Sequence, residues 1–532
     1  MPGARAEHRA PLYRKSRLRL ATAAMIALAL PTGAAQAQSR DGAGEATEAA
    51  PRNAVAAEIR TLVSGRLTNF YRPRGYWPLW VEGDKLGPQA KAFLTLARSA
   101  GADGLDAKDY DPEELAKAID AAKDGLPTAL ATAELALSRS FGRYLRDMRD
   151  PKKGDRAEIT YLDKELEPER QREDEMLRIA ALAPDFDDYV ETMGWMSPRY
   201  RELRVALLRW RERWGDLPAG TIPAEGLLRQ GSKGEAVAAL RRRLGLPAGA
   251  VFDKGVAARL RAFQADHGIP ADGIAGAQTI AALDRDPEQA ERLLRLNLAR
   301  ARLLPGPHVR HVEVNAADAR LWYFGEGKQQ GTMRVVVGAV ETQTPMMAGM
   351  VRYATLNPYW NVPMHLVQQR IAPRVIDGAT LAAMRYEALS DWSATPRPLE
   401  QSEIDWASVA AGRSEVRLRQ LPGGNNAMGR VKFMFPNDLG IYLHDTPDKA
   451  LFKKSARQFS NGCVRLEDAP RLGAWFFDKP LKPDGKEPEQ HSPLPQPVPV
   501  YLTYLTVVPE KDGVRFLPDV YGRDEKALEK LR

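Results

Sequence analysis

Apolar residues recur every three or four positions through the first half of the chain, which predicts amphipathic helices. The clearest windows are residues 88–100, 111–124, 127–149 and 198–214. From about residue 306 the period changes, because apolar and polar residues alternate in short runs such as 311–315, 320–324 and 332–337. Alternation of this kind is typical of strands. We therefore expect a multidomain α+β protein in which helical domains precede a mainly β domain.

The β-rich part has one interruption, an insertion at about residues 364–415. Helical pattern occurs there near 367–376 and 381–389, and strand pattern resumes at 416–420. Further strands are expected at 429–435, 440–445 and 500–507. The proline-rich stretch 493–499 favours an extended chain that leads into the last strand. Residues 509–532 are expected to form a peripheral tail, which is charged from Asp519 onward.

Residues 1–37 have the layout of a secretory signal peptide. A positive leader precedes the apolar run 20–30 and the small-residue site Ala35-Gln-Ala37, so cleavage after Ala37 is expected. The alternative is an uncleaved inner-membrane anchor, although the run is shorter than the ~20 residues that span a bilayer. The chain is formally +8, and without the basic leader it is near +3, which is no nucleic-acid footprint. The product is expected in the periplasm.

Residues 226–283 read as three short helices joined by Gly-containing turns. Leu228 to Leu240 and Ala257 to Gln264 carry the pattern, and Pro270-Ala-Asp-Gly273 opens the third helix. This segment resembles the three-helix peptidoglycan-binding module. It departs from that family at Phe252-Asp-Lys-Gly255, so the alternative of a structural spacer stays open.

The chain contains one cysteine, Cys463, in Ser460-Asn-Gly-Cys-Val-Arg465, and a histidine, His444, on an upstream strand. A lone thiol forms no intramolecular disulfide, so it is either a buried filler or a nucleophile. His444 can take the thiol proton as a general base. We expect Arg465 and the N-terminus of the helix after residue 467 to favour the thiolate. The backbone N–H groups of Gly462 and Cys463 are candidate oxyanion donors.

These residues resemble the L,D-transpeptidases, most closely the large periplasmic type. The shared motifs are His444-Asp-Thr-Pro447, Ser460 to Arg465, Asn357 to Pro363 and Pro422 to Arg430. The likeness is strong over 306–507 and loose over 54–220, and the insertion falls where that type has a capping subdomain. Asn461 replaces a histidine found in many smaller members, so His444 alone must serve as the base.

The resemblance implies a domain order for the whole chain. The expected segments are a signal peptide (1–37), a disordered lead-in (38–53), a helical scaffold domain (54–222), a peptidoglycan-binding-like domain (223–286), a linker helix (287–305), a catalytic domain (306–508, capping insertion about 364–415) and the tail (509–532).

The resemblance also implies acyl transfer between peptidoglycan stem peptides. Cys463 would form a thioester with release of D-alanine, and a second stem's diaminopimelate amine would complete the cross-link. A lipoprotein lysine or water as acceptor are alternatives. The residues expected to bind substrate are Arg465, Tyr442, Trp360, Asn426, Ser460 and Asn461. No metal or organic cofactor is implied, carbapenems are the implied inhibitors, and enzymes of wall synthesis are candidate partners.

Two other classes of function compete with this interpretation. A non-catalytic wall-binding adaptor would not need Cys463, His444 and Arg465 together. A papain-like cysteine peptidase would place its cysteine before its histidine and use an orienting asparagine, whereas here the histidine comes first.

Overall fold

The computed structural model describes residues 54–150, 159–168, 171–223, 226–393, 395–510 and 513–529. The expected leader 1–37 and lead-in 38–53 lie outside the described residues. Residues 54–62 are helical, and the further helices up to residue 302 are Leu67–Tyr71, Gln89–Arg98, Pro112–Ala121, Pro127–Arg149, Glu173–Ala180, Phe186–Glu191, Pro198–Trp214, Glu235–Arg243, Lys254–Asp266, Ala277–Asp284 and Pro287–Arg302.

Prolines and caps explain why two of the predicted helices have the expected bounds. Pro127 and Pro198 occupy the first helical position, where a missing N–H costs nothing, and Ser197 caps the second helix by accepting from the Tyr200 N–H. Among the described residues, no helix has both the length and the apolar character needed to cross a membrane. The helical N-terminal region and the mainly β region confirm the predicted fold class.

One large sheet forms the β-rich region. Its strands, in spatial order, are Val431–Met434, Leu443–His444, Val464–Leu466, Lys328–Gly338, Arg320–Gly325, His311–Asn315, Gln490–Thr503 and Met347–Leu356. The last strand pairs again with the first, Val431 opposite Leu356, so the sheet closes on itself. Its interior holds a separate apolar core that includes Val314, Leu443, Val464 and Leu502.

The insertion forms a lid with its own small core. A π-helical turn Val367–Ile371 continues into the helix Ala372–Ile376 and packs with Trp406–Ala410 on a four-stranded sheet. The strands of that sheet are Trp360–Asn361, Tyr386–Leu389, Pro398–Leu399 and Arg417–Gln420. The predicted helix at 381–389 is wrong, because its second half pairs with Arg417–Gln420 in this sheet.

The scaffold region donates a strand to the large sheet. Thr160–Tyr161 runs parallel to Met347–Leu356, with Thr160 opposite Met347. Asp163 extends this contact by accepting a hydrogen bond from the Met350 N–H at 2.6 Å and by pairing with Arg352. Backbone pairing of this kind ties the scaffold to the catalytic sheet more firmly than side-chain contacts alone.

The C-terminal part is not the peripheral tail that the sequence predicts. Strands Val507–Glu510 and Gly513–Phe516 pair with each other, and a helix follows at Arg523–Leu528. Asp524 is buried and accepts from Arg300 and from the Thr506 hydroxyl, each at 2.5 Å. The proline-rich stretch is extended as expected, but the strand begins earlier than predicted, since the stretch lies inside Gln490–Thr503 with an irregularity in pairing between Pro493 and Val498.

Candidate active site

Strand register brings the nucleophile and its base to one side of the sheet. Leu443–His444 and Val464–Leu466 are parallel neighbours, with His444 opposite Arg465. Because side chains alternate along a strand, Tyr442 and His444 share a face, and Cys463 and Arg465 share that same face. His444 and Cys463 are therefore diagonal neighbours on one face of adjacent strands, an arrangement in which long side chains can approach each other.

This face forms the floor of a cavity of about 540 Å³ beneath the lid. The strands contribute Tyr442, His444, Cys463 and Arg465, and the lid contributes Trp360, Leu366, Arg370 and Arg374. Ser460 and Asn461 also line the cavity. Gly462 lies in the turn that precedes Cys463. Eight of the nine sequence-predicted positions therefore belong to the cavity lining or to this turn. Within the described ranges, no cluster of three or more His, Cys, Asp or Glu is arranged to hold a metal ion.

Asn426 lies outside this cavity wall. Its side-chain amide donates to the carbonyls of Gln420 and Leu421, each at 3.1 Å, and its oxygen accepts from the Met428 N–H at 2.7 Å. With the residue only 2% exposed, these bonds use the amide to hold the loop together. The structure therefore gives Asn426 a loop-stabilising place and not the channel position that the sequence suggested.

A backbone carbonyl fixes the tautomer of His444. Its Nδ1 lies 2.6 Å from the Asp445 carbonyl oxygen, and a carbonyl only accepts, so Nδ1 carries the proton. Nε2 is then left with its lone pair, as a general base requires. Burial, together with the neighbouring Arg465 charge, lowers the pKa of His444 to about 3. The ring is therefore neutral at physiological pH.

The thiol of Cys463 is protonated at rest, contrary to the predicted thiolate. Burial raises its pKa to about 11, although hydrogen bonds from Tyr442 and the charge of Arg465 act in the other direction. The Sγ–H donates to the Gly440 carbonyl at 3.4 Å. A neutral thiol beside a neutral imidazole means that proton transfer must accompany attack, instead of preceding it.

The predicted helix contribution to the thiolate is also wrong. The helix Ala469–Phe477 starts after the three-residue strand Val464–Leu466, and at ~3.3 Å per residue that strand alone spans roughly 10 Å. Its first turn is already capped, because Asp468 accepts from the Arg471 N–H. A helix dipole acts mainly within its own terminal turn, so it does not reach the sulfur.

The turn that presents Cys463 is held by hydroxyl groups that the sequence did not reveal. Ser460 Oγ donates to the Cys463 carbonyl at 2.5 Å and accepts from the Gly462 N–H at 3.2 Å. The Thr344 hydroxyl donates to the Gly462 carbonyl at 2.7 Å and accepts from the Gly338 N–H at 2.9 Å. Gly462 has φ 109, a conformation that only glycine adopts without strain.

These bonds decide which backbone donor is available for an oxyanion. The Gly462 N–H is already used by Ser460, so its predicted role as an oxyanion donor is wrong for this arrangement. Thr344 fixes the Gly462 carbonyl, and the N–H of Cys463 belongs to the same planar peptide unit and points the opposite way. The Cys463 N–H therefore remains the candidate oxyanion donor.

The C-terminal segment supports this turn from behind. Arg523 donates to the Thr344 carbonyl at 2.9 Å and to the Gln343 side chain at 3.0 Å. The Tyr521 hydroxyl donates to the Gly338 carbonyl at 2.6 Å. These contacts join residues about 180 positions apart, which explains why the charged composition of the tail did not suggest them.

Replacing Tyr442 by phenylalanine is expected to make Cys463 a weaker nucleophile in its free state. The Tyr442 hydroxyl hydrogen-bonds the sulfur and lowers the pKa of the thiol, so its loss raises that pKa. One neutral hydrogen bond is worth about 1 kcal/mol, which predicts a roughly fivefold slower iodoacetamide alkylation at pH 8, far below the thiol pKa. Intact-protein mass spectrometry over time measures this rate.

The matched control for this change is Tyr386→Phe, because Tyr386 lines the same cavity from the lid and has no bond to the sulfur. Equal alkylation rates for Tyr442→Phe and the unmodified chain would show that the tyrosine hydroxyl does not act on the thiol.

Three regions of the chain match known domain families. Residues 309–478 match the L,D-transpeptidase catalytic domain, residues 65–207 match a family described as "Scaffold domain", and residues 233–283 match one described as "Putative peptidoglycan binding domain". Each match falls on one of the regions that the sequence pattern separated above.

A protein of Haemophilus influenzae named "Putative L,D-transpeptidase" is 30% identical over 241 residues, which cover 44% of this chain and 48% of that protein. The chain thus matches about half the length of this curated relative. Similar solved structures include the L,D-transpeptidase of Xylanimonas cellulosilytica (18% identity, 53% of this chain and 98% of that chain, TM-score 0.18) and that of Mycobacterium smegmatis (13%, 37% and 59%, TM-score 0.19). TM-scores this low carry no argument.

Proposed function

We propose that this chain, which belongs to the L,D-transpeptidase family through its catalytic domain at residues 309–478, cross-links peptidoglycan stem peptides by way of a thioester on Cys463. The observation that carries the proposal is the shared cavity of Cys463 and His444, with Nε2 of His444 left free as a base by the Asp445 carbonyl. A transferase needs this pair, and a wall-binding adaptor does not.

The first half-reaction forms the acyl-enzyme. The sulfur of Cys463 attacks the carbonyl carbon at the L-centre of diaminopimelate, the third residue of a donor stem, while Nε2 of His444 takes the thiol proton. The carbonyl oxygen becomes an oxyanion that the Cys463 N–H stabilises. The C–N bond to the fourth residue then breaks, His444 gives the proton to the leaving amine, and D-alanine departs.

The second half-reaction transfers the acyl group. The side-chain amine of diaminopimelate on a second stem attacks the thioester, and His444 takes a proton from that amine. The C–S bond breaks, the proton returns to the sulfur, and an amide joins the two third residues. The enzyme ends in its starting protonation state. A resting state with a neutral imidazole and a neutral thiol is therefore sufficient for both half-reactions, in each of which His444 carries the proton only transiently.

Several features outside the catalytic pair support peptidoglycan as the substrate. The match at residues 233–283 to a peptidoglycan-binding family fits a module that holds the chain on the wall. Arg465 lies in the cavity, and its guanidinium can form two parallel hydrogen bonds with a substrate carboxylate. An export leader at residues 1–37 would place this activity in the periplasm, where carbapenems would acylate the same thiol.

The test uses the purified chain from residue 38 onward, incubated with a disaccharide-tetrapeptide, beside Cys463→Ala. We expect loss of D-alanine together with a cross-linked dimer, both absent from Cys463→Ala, and a carbapenem mass adduct confined to the unmodified chain. Liquid chromatography with mass spectrometry measures all three products.

The same experiment separates the alternatives. Alanine release without dimer would indicate an L,D-carboxypeptidase, and transfer onto an added lipoprotein peptide with a free lysine would indicate an attaching transferase. Wall binding without any release of alanine would overturn the enzyme assignment and leave the adaptor.

A further inference from the structure

The cavity wall is strongly cationic. Arg370 and Arg374 from the lid and Arg465 from the sheet face it, whereas Asp448 is the carboxylate among its lining residues. Within the described part of the chain, none of the three guanidiniums lies within ion-pair distance of a carboxylate. A site with a surplus of unpaired arginine recruits an anion, and arginine suits carboxylates in particular because of its bidentate geometry.

Arg465 and Arg370 carry like charges that face the same cavity. The Arg465 side chain is largely buried, and its Nε has no hydrogen-bond partner among the described residues. Burial lowers the pKa of Arg465 and the charge of Arg370 acts in the same direction, whereas the charge of Asp448 acts against them. Two guanidiniums that repel each other at the edge of a cavity are both stabilised by an anion between them.

Strand register indicates which part of a donor stem reaches this pair. His444 must hand its proton to the leaving amine, so the departing residue lies beside His444. Arg465 is the sheet partner of His444. It lies two residues after Cys463 on the same face, whereas Tyr442 lies opposite Cys463 on the neighbouring strand. The carboxylate of the departing residue lies two bonds from its amine, so it stays close to His444, where Arg465 is the neighbouring side chain.

Resting on the function proposed above, we infer that Arg370 of the lid and Arg465 of the sheet together bind the free C-terminal carboxylate of the departing residue. The donor must then end one residue after the scissile bond. A carboxamide at that position removes the charge, and a further residue moves the carboxylate out of reach. The same contact links the lid to the strand of the nucleophile while a donor is bound.

The test measures kcat/KM for release of the leaving group, which is alanine, alaninamide or an alanyl-alanine dipeptide, from three donors. These are the disaccharide-tetrapeptide, its C-terminal carboxamide and the pentapeptide. We expect the tetrapeptide acid to exceed the other two by at least about tenfold, the value of a charge-assisted hydrogen bond. Arg370→Gln is expected to slow the acid by about tenfold through KM and to leave the carboxamide nearly unchanged.

Arg413→Gln is the matched control, because Arg413 is an exposed arginine of the same insertion that does not line the cavity. It should behave like the unmodified chain with every donor. Equal use of acid and carboxamide by the unmodified chain, or equal slowing of both by Arg370→Gln, would overturn the inference while the proposed function stands. Failure of the unmodified chain to release alanine from any donor would instead overturn the proposed function.

Discussion

Replacement of His444 by glutamine is expected to slow acylation of Cys463 by about 10²- to 10⁴-fold at pH 7, the usual contribution of a positioned general base. The effect should lie toward the lower end of that range, because burial lowers the pKa of His444 to about 3 and makes the imidazole a weak base, even though the thiol stays protonated with its pKa raised to about 11. Without an imidazole the reaction depends on the small thiolate fraction. Carbapenem adduct formation, followed by intact-protein mass spectrometry, measures the acylation rate directly.

The pH profile separates this mechanism from a preformed thiolate. The pKa of His444 is lowered to about 3 and that of Cys463 is raised to about 11, so neither group changes its protonation between about pH 4 and pH 10. The unmodified chain should therefore acylate at a nearly constant rate from pH 5 to pH 9. In His444→Gln the rate should rise about tenfold per pH unit, because it follows the thiolate fraction.

The control for this series is His308→Gln, since His308 is exposed and does not line the cavity. A tenfold rise per pH unit in the unmodified chain would contradict the mechanism, because it would mean that the thiolate reacts without help from His444.

Local pattern was enough to predict the strand that carries His444. Leu443 is fully buried, so alternation alone places His444 on the opposite, cavity side of that strand. The short strand Val464–Leu466 that follows Cys463 was not predicted. The helices Pro127–Arg149 and Pro198–Trp214 have the predicted bounds for a similarly local reason, since a proline starts each of them.

Burial and long-range contacts could not be predicted from the sequence. Glycine, asparagine and arginine around Cys463 suggested an electropositive, ionised thiol, but the lid and Tyr442 enclose the sulfur and desolvation outweighs the arginine charge. The half-apolar stretch 381–389 fits a helix or a strand, and the partner Arg417–Gln420 decides for the strand. Asn426 looked like a substrate contact only because its backbone partners in the folded loop were unknown.

The residues missed altogether are those that act on the nucleophile from distant parts of the chain. Thr344 and Arg523 are ordinary residues in sequence, and their place follows from the closed sheet, which brings the loop after Lys328–Gly338 against the nucleophile turn. A threonine before Pro345 carries no signal that would have singled it out.

Replacement of Thr344 by valine is expected to lower kcat by about 10²-fold, near the lower limit for loss of one oxyanion donor. Valine keeps the shape but removes the hydroxyl that orients the Gly462 carbonyl and, through the peptide plane, the Cys463 N–H. It also leaves the buried Gly338 N–H without its acceptor, which costs about 1–3 kcal/mol of stability. Steady-state release of D-alanine and thermal unfolding measure the two effects.

Thr344 acts through the turn and does not touch substrate, so its loss should have a distinct profile. We expect KM and the alkylation rate of Cys463 to stay nearly unchanged, because Tyr442 and Gly440 still contact the sulfur. Thr344→Ser, which keeps the hydroxyl, should recover most of kcat. Thr332→Val is the control, because it removes a threonine hydroxyl that donates to the Leu321 carbonyl in the same sheet, and it should leave kcat unchanged. If Thr344→Ser were as slow as Thr344→Val, the hydroxyl would not be what aligns the oxyanion donor, and the backbone of the turn would have to do so by itself.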